Sequence, residues 1–430
     1  MLIEFRVQNF RSLRDDNVLS LVASSDKTLK KTNVTETGIA SLPRVLRTVG
    51  IYGANASGKS NLIHAIAVMR AIVLQSAGIQ LGQPFNVQPF GLDSQFMDEP
   101  TEFEITFMRD GMRYQFGFSL KPARIVSEWL IVYKTAQPQS WYFRKHKVSN
   151  EDEYKFGSHF QGQRQLWRSS TRPNALFLST AVQLNSEQLK PVFDWFVRLQ
   201  VAEHGGIPIV EGIHPLEFTL NHLQQDDSIR QAITEFLSGA DIAISEIEIS
   251  KEKGFKQALT FDAAGNIGSS RQETEILVPK FVHSTAKGRA LFNFGDESEG
   301  TQRLFMLAGP LFEILRTGSV LFVDELDRSL HALLVRQLIE MFQNPSLNPA
   351  GAQLVFTTHD TSLLSGDLLR RDQIWFVEKD EDQASRLYPL TDFAPRKNEA
   401  LERGYLFGRY GAIPILTHQM TIPDGKESKG

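Results

Sequence analysis

The chain has 430 residues, of which 41% are hydrophobic, so it can bury the core of one large domain or of two to three ordinary ones. The formal net charge of −4 provides no overall attraction to nucleic acid, and any contact with DNA would need a local basic patch. There are no cysteines, which excludes disulfides, thiolate nucleophiles and cysteine-ligated metal sites.

The N-terminal segment, MLIEFRVQNF, alternates apolar and polar residues, which predicts a strand. The charges of Glu4 and Arg6 within it argue against a signal peptide. No apolar run in the chain approaches the roughly 20 residues that span a bilayer. We therefore expect a cytoplasmic protein without a membrane partner.

A glycine-rich segment, GANASGKS at 53–60, lies between two predicted elements. Residues 48–51 before it form a short apolar run typical of a buried strand, and residues 61–74 after it are apolar at helical spacing. The segment matches GxxxxGK[ST] in the strand–loop–helix setting that a phosphate-binding loop requires. The alternative is a glycine-rich turn that matches by chance, and the flanking pattern argues against it.

The residue types of this segment suit a phosphate ligand bound together with Mg²⁺. Gly53 and Gly58 permit the backbone angles that turn amide groups inward, and the helix N-terminus adds positive potential. Lys59 is expected to reach the terminal phosphates, and the hydroxyl of Ser60 to ligate Mg²⁺. The predicted nucleotide-binding residues of the segment are Gly53, Asn55, Ala56, Ser57, Gly58, Lys59, Ser60 and Asn61.

The following part of the chain favours antiparallel strands. Residues 101–107 and 112–118 alternate around an Asp-Gly turn, which predicts a hairpin, and residues 125–133 predict another strand. The stretch 137–172 is rich in polar residues, and we expect irregular strands and surface loops there.

Helices are predicted between about 175 and 240, where residues 186–200 and 228–237 each place apolar side chains on one stripe. Such a stripe is either ordinary core or a partner-binding face. No sustained heptad repeat is present, which excludes long coiled-coil arms. The strands predicted next are 242–249, 258–261 and 275–278.

The segment SEGTQRLF at 298–305 has two interpretations. Ser298 can cap a helix, because its hydroxyl can accept from a free amide of the first turn and residues 301–315 continue as an amphipathic run. Alternatively, Ser298 and Gly300 form half of a binding site whose other half lies far away in the chain. The motifs in the rest of the sequence are needed to choose between these two interpretations.

Two later predicted strands end in polar residues. The apolar run at 319–323 ends in Asp324 and Glu325, and ligands of open α/β sheets bind at such carboxyl ends. Asp324 is expected to hold Mg²⁺ and Glu325 to polarise an attacking water, the alternative being two acids that cap the next helix. A strand at 351–356 leads to His359, which is either a structural hydrogen bonder or a donor to a γ-phosphate oxygen.

The order of these motifs resembles that of the ABC-type ATPase head, in its SMC-like and OLD-like branch. The resemblance implies that the nucleotide is ATP, that Ser298 and Gly300 are signature residues, and that Asp327 belongs to the D-loop. It also implies that two heads pack head to tail, so that the signature of one subunit closes on the nucleotide held by the other. The catalytic residues that it implies are Lys59, Glu325 and His359.

Both ends of the chain extend the resemblance. FRVQNFRS at 5–12 is similar to the opening of these ATPases, and YLFGRYGAIP at 405–414 is similar to the ending of AAA family ATPases from prokaryotic phage-defence cassettes, including the RloA and AriA kinds. The resemblance thus covers most of the chain, from the first strand to about residue 414. ABC heads also carry a glutamine that touches Mg²⁺, for which Gln88 is the candidate and Gln83 the alternative.

The predicted fold class is α/β, a P-loop NTPase with an ABC-type ATPase head that has a mixed core sheet, an antiparallel β subdomain and a helical insertion. Residues 1–135 and 271–430 are predicted to form the head, and 136–270 the insertion. By resemblance, the protein is an Mg²⁺-dependent ATPase that forms a homo-oligomer and controls a separately encoded effector, a nuclease, in antiviral defence. Competing hypotheses are a DNA-repair or recombination ATPase, which salt-dependent DNA binding would reveal, and a transporter ATPase, which would need a membrane partner.

Overall fold

The phosphate loop and the helix that follows it lie between two large β-sheets. The structure, a computed structural model, describes residues 1–39, 42–135, 137–225, 227–240, 244–261, 267–396 and 399–414. The strands are β1 (Leu2–Gln8), β2 (Asn17–Ser20), β3 (Val34–Ile39), β4 (Leu42–Leu46), β5 (Thr48–Tyr52), β6 (Thr101–Arg109), β7 (Met112–Lys121), β8 (Arg124–Tyr133), β9 (Gln139–His146), β10 (Asp152–Phe156), β11 (Gln200–Ala202), β12 (Ile244–Phe261), β13 (Ile267–Thr285), β14 (Gly288–Asn293), β15 (Val320–Val323), β16 (Gln353–Thr357), β17 (Ile374–Lys379) and β18 (Ser385–Pro389). The helices are α1 (Lys30–Asn33), α2 (Lys59–Gln75), α3 (Ser94–Met97), α4 (Arg164–Ser170), α5 (Phe177–Gln183), α6 (Lys190–Arg198), α7 (Pro215–Gln225), α8 (Asp227–Gly239), α9 (Glu299–Thr317), α10 (Ala332–Gln343) and α11 (Leu401–Leu406).

The core sheet has the strand order β11-β15-β16-β5-β17-β18, in which the first five strands are parallel and β18 runs antiparallel to β17. Every residue of β5, β15 and β16 is buried, as expected for parallel strands that are covered on both faces. Because these strands run in the same direction, the residues that follow them meet at one edge of the sheet. The predicted strands before the phosphate loop, before Asp324 and before His359 are therefore confirmed.

An antiparallel sheet of seven strands, in the order β10-β9-β8-β7-β6-β1-β2, covers the other side of α2. The predicted hairpin is present, with Thr101 opposite Leu120 and Arg109 opposite Met112. This sheet, together with the core sheet and its helices, confirms the predicted fold class. No helix in the described part of the chain is long and apolar enough to cross a membrane.

The two faces of the core sheet belong to two different cores. In β15, Val320 and Phe322 join a cluster that includes Ile66 of α2 and the apolar face of the antiparallel sheet. Leu321 and Val323 point to the opposite side and join a second cluster with α7, α8, α9 and α10. Successive side chains of a strand point to opposite faces of the sheet, so one face of β15 packs against α2. This helix, with the phosphate loop at its start, therefore lies between the two sheets.

The stretch 137–172 is more regular than its composition predicts, since β9 and β10 extend the antiparallel sheet. Its polar residues include Arg144, which is buried at 1% exposure and donates to Asp152 Oδ2 from both Nε (3.0 Å) and Nη2 (2.7 Å). This buried, paired arginine stands where the alternating pattern of a strand would have an apolar residue, so the sequence does not indicate the strand. The predicted boundary at 135/136 falls within this sheet, between β8 and β9.

A long hairpin of β12 and β13, 18 and 19 residues long, replaces the three short strands that the sequence predicts there. Ile247 and Phe281 bury its base against α9, where the Phe281 and Phe305 rings lie 5.0 Å apart. Further out, lysines face glutamates across the two strands, as in the 3.1 Å pair of Lys253 and Glu273. Because residues 250–253 are all polar, the alternating pattern of the base does not continue there. The predicted boundary at 270/271 falls inside β13.

Candidate functional site

The phosphate loop connects β5 to α2, and its two glycines lie where no side chain fits. A Cβ atom at Gly53 would come 2.3 Å from the carbonyl oxygen of Val377. At Gly58, which has a φ of 112°, a Cβ atom would come 2.1 Å from Oγ of Ser385. The loop is therefore pressed against β17 and β18, and its geometry depends on the strands beside it.

Lys59, the first residue of α2, is held inside the loop. It is 5% exposed, and its Nζ donates to the carbonyl oxygens of Gly53 (2.6 Å) and Ala54 (3.0 Å). Burial lowers the pKa of Lys59 to about 8, although the carboxylates of the acidic segment 324–327 raise it. A partly desolvated ammonium group at this position is suited to an anionic ligand.

Asp324 lies at the end of β15 and is 2% exposed. The hydroxyl of Thr357 donates to Asp324 Oδ1 (2.7 Å) and accepts from the backbone N–H of Glu325 (2.7 Å), which ties the ends of β15 and β16 together. Mg²⁺ prefers oxygen ligands and takes only one or two of them from the protein when it binds with phosphates. Asp324 and the hydroxyl of Ser60 fit this ligand set.

Glu325 lines the same cleft in a left-handed backbone conformation, with a φ of 53°. This conformation costs a residue with a side chain about 1 kcal/mol. Two hydrogen bonds to Thr357 of β16 maintain this conformation. The Thr357 hydroxyl accepts from the N–H of Glu325, and the Thr357 carbonyl accepts from the N–H of Leu326 (3.0 Å). The Glu325 carboxylate is half exposed, and Arg328 Nη1 lies 3.8 Å from it. An unpaired or weakly paired carboxylate in such a position is available to a water molecule.

His359 follows β16 and lines the cleft opposite the phosphate loop. Its backbone N–H donates to Asp327 Oδ2 (3.3 Å), so the two predicted residues are in contact. Asp327 Oδ1 is buried and has no hydrogen-bond partner among the described residues. The structure thus brings the phosphate loop, Glu325 and His359 to one cleft of about 480 Å³, within the size range of small-molecule sites.

Ser298 and Gly300 do not line this cleft. Ser298 is the N-cap of α9, and its Oγ accepts from the N–H of Thr301 (3.1 Å), as the helix-cap interpretation expects. A Cβ atom at Gly300 would lie 3.6 Å from the carbonyl oxygen of Ser329, in the loop after Asp327. Within one chain, the predicted signature is therefore near the D-loop and away from the phosphate loop.

Gln88 is also outside the cleft. Its side chain is exposed, and its carbonyl oxygen accepts from the N–H of Arg11 (2.7 Å). Arg11 in turn lies 3.4 Å from Oδ1 of Asn61, through its Nη1. The backbone of Gln88 thus supports the N-terminal wall of the cleft, while its amide does not reach the cleft in this conformation.

Two residues of the cleft wall, Ser12 and Lys379, were missed by the sequence analysis. Ser12 Oγ accepts from Asn61 Nδ2 (2.7 Å) and forms a hydrogen bond with the hydroxyl of Ser385 (2.7 Å), and Lys379 ends β17 beside them. Ser12 lies in the quoted segment 5–12, but nothing in that segment indicates its distance from the loop. Lys379 is the last residue of β17, and only the strand order places that strand next to β5.

Glu203 is a further acid at this edge that the sequence analysis did not identify. It follows β11, whose Ala202 is opposite Val323 of β15, and Gly205 N–H donates to the carbonyl oxygen of Asp324 (2.9 Å). The Glu203 carboxylate forms a hydrogen bond with Nδ1 of His64, one turn of α2 beyond Ser60. β11 has only three residues, too few for a pattern to mark it as part of the sheet.

A family profile described as "AAA domain, putative AbiEii toxin, Type IV TA system" matches residues 49–365, most of the chain. Among solved structures, the chain is similar to one described as the SMC head bound to the C-winged helix domain of ScpA, with 12% identity and a TM-score of 0.38. That similarity covers 90% of this chain and 96% of the other. No curated protein matches the chain.

Proposed function

Because the chain belongs to this family of AAA domains, we propose that it binds ATP with Mg²⁺ and hydrolyses the terminal phosphate bond. The observation that carries the proposal is the meeting of the phosphate loop, the Asp324–Glu325 pair and His359 at one sheet edge. A phosphate loop alone would serve binding, whereas a half-exposed carboxylate across the cleft adds a group that can act on water.

Each residue has a role that its surroundings support. Lys59 exchanges its contacts with loop carbonyls for contacts with the β- and γ-phosphates, and the loop amides bind the remaining phosphate oxygens. Ser60 and Asp324 would hold Mg²⁺, which would neutralise phosphate charge when bound. Glu325 orients and polarises the attacking water, and His359 donates a hydrogen bond to a γ-phosphate oxygen.

We propose that the site is completed by a second copy of the chain. Ser298 and Gly300 lie at the N-terminus of α9, a 19-residue helix whose first amides and dipole suit a phosphate group. They do not reach the cleft of their own chain. Head-to-tail packing of two chains would bring this helix end to the γ-phosphate, so ATP would bridge the subunits and hydrolysis would loosen them.

Glu203, which like Gln88 does not line the cleft, is a further candidate for a residue that responds to the γ-phosphate. It lies beside Asp324 at the sheet edge, and His64 links it to the helix that starts with the phosphate loop. We therefore assign the sensing role to the Glu203–His64 pair. Glu203→Gln should change the affinity for ATP by a larger factor than the affinity for ADP, as measured by calorimetric titration with Mg²⁺. An equal loss for both nucleotides would refute this role.

The wider role that we propose is control of a separately encoded effector, a nuclease, in antiviral defence. Two similarities support it. The matched family carries the description "AAA domain, putative AbiEii toxin, Type IV TA system", and residues 405–414 are similar to the ending of ATPases from phage-defence cassettes. Co-purification of the effector encoded beside this chain, with and without ATP, tests it; an effector whose binding ignores nucleotide would contradict it.

Mixing two inactive variants tests the shared site. Lys59→Ala removes the phosphate-loop cation and Ser298→Arg blocks the helix end, so each variant alone should hydrolyse little ATP. In a random mixture, half of the dimers contain one intact site of two, and roughly a quarter of the wild-type activity should return. Activity is measured as released phosphate, and subunit exchange by pull-down of differently tagged chains.

The matched control is a mixture of Lys59→Ala with Ser60→Ala. Both changes affect the same half of the site, so this mixture should recover no activity. If the first mixture also stays inactive although its subunits exchange, Ser298 is only a helix cap and hydrolysis takes place within one chain.

A further inference from the structure

Lys379 is a cation at the nucleotide cleft for which the proposed hydrolysis provides no role. It is the last residue of β17, it is exposed, and it lines the cleft with Ser12 and the phosphate loop. Its neighbour in the ladder is Ser385, whose hydroxyl donates to the carbonyl oxygen of Ser57 (2.6 Å). Lys379 is therefore held next to the loop, on the side of β17.

The nearby acids do not neutralise Lys379. Arg14 pairs with Asp380 (3.1 Å) and with Asp382 (2.8 Å), two of the three acids that follow in the β17–β18 turn. Within the described ranges, no carboxylate forms an ion pair with Lys379 itself. An unpaired ammonium group on the wall of a cleft is positioned for an anionic ligand.

The strand order gives the direction in which a nucleotide lies. Asp324, Glu325 and His359 follow β15 and β16, on one side of β5, and these residues act on the γ-phosphate. The phosphate loop follows β5 itself. A nucleotide whose γ-phosphate faces β16 must extend its other end toward the remaining neighbour of β5, which is β17.

We propose that Lys379 binds the α-phosphate of the nucleotide and so determines the affinity for its nucleoside end. The proposal rests on the proposed function, since it assumes that a nucleotide occupies the cleft. Ser12, held between Asn61 and Ser385, forms the fixed wall against which this end of the ligand lies. Lys379 then contributes to binding and takes no part in the attack on the γ-phosphate.

The test compares ATP with ADP, because both carry the α-phosphate and only ATP carries the γ-phosphate. Lys379→Gln should weaken the binding of Mg-ATP and of Mg-ADP by the same factor, roughly fivefold for one exposed charge–phosphate contact. Lys379→Arg should keep most of the affinity. The measurement is calorimetric titration of the full chain.

The matched control is Lys155→Gln, which removes an exposed lysine from β10, at the far edge of the antiparallel sheet, and should leave both affinities unchanged. A loss for ATP alone would move Lys379 to the γ-phosphate and overturn the proposal, as would unchanged binding of both nucleotides. If the wild-type chain binds neither nucleotide, or Lys59→Ala binds them as tightly as wild type, the proposed function itself fails.

Discussion

Lys59→Met should make the nucleotide-free protein more stable at neutral pH. The pKa of Lys59 is lowered from 10.5 to about 8, and a shift of this size corresponds to about 3 kcal/mol of unfavourable free energy for the charged group in the folded state. Methionine removes this cost with little change in shape. It also removes the hydrogen bonds to the carbonyls of Gly53 and Ala54, at about 1 kcal/mol each. The expected net gain in unfolding free energy is about 1 kcal/mol.

The dependence on pH separates this effect from ordinary repacking. Below pH 8, Lys59 is charged in both the folded and the unfolded chain, so the folded protein bears the whole cost. Between pH 8 and 10.5 the folded protein loses this proton before the unfolded chain does, and the wild type gains stability relative to Lys59→Met. The advantage of the variant should therefore shrink by about 2 kcal/mol between pH 7 and 9.5 and change sign.

The assay is urea unfolding of both proteins without nucleotide or Mg²⁺ at several pH values. Taking the difference between wild type and variant cancels the titration of every other group. Lys155→Met, at an exposed lysine, is the control and should change the unfolding free energy by less than about 0.5 kcal/mol at each pH. The reasoning is refuted if Lys59→Met is no more stable than wild type at pH 7, or if the difference is independent of pH.

Two further substitutions test the frame of the site. Thr357→Val leaves an oxygen of buried Asp324 and the N–H of Glu325 without their partner, so we expect a loss of about 2 to 3 kcal/mol in unfolding free energy and weaker Mg²⁺-dependent ATP binding, measured by urea unfolding and titration. Gly58→Ala places a Cβ atom 2.1 Å from Ser385 Oγ and should abolish ATP binding in a filter assay while the chain remains folded by circular dichroism; retained binding would show that the loop can move away.

The local parts of the site are predictable from sequence because each depends on a short pattern. The phosphate loop has its residue types at fixed spacing, and Asp324 directly follows an apolar run. The apolar residues before the loop predict the strand, and the apolar residues after it predict the helix. The loop and the helix that starts at Lys59 are therefore found where the pattern places them. The cap at Ser298 is local in the same sense.

The walls of the cleft depend on strand order, which no short pattern encodes. Lys379 and Glu203 reach the site only because β17 lies next to β5 and β11 next to β15. Gln88 was predicted from its position after the phosphate-loop helix. In the structure its carbonyl oxygen accepts from the N–H of Arg11, and its side chain lies outside the cleft. The regular strands between 137 and 172 were missed because a paired Arg144 occupies an interior position.

The strand order of the core sheet also determines how the protein can fold during synthesis. β5, which leads into the phosphate loop, has β16 and β17 as its neighbours, about 300 residues later in the chain. At roughly 5 to 20 residues per second, a ribosome needs about 15 to 60 s to supply them. All strands of the antiparallel sheet, in contrast, lie before residue 157. That sheet can form early, whereas β5 has no strand to pair with until β16 and β17 are synthesised. During this long interval the apolar residues of β5 are available for a chaperone to bind.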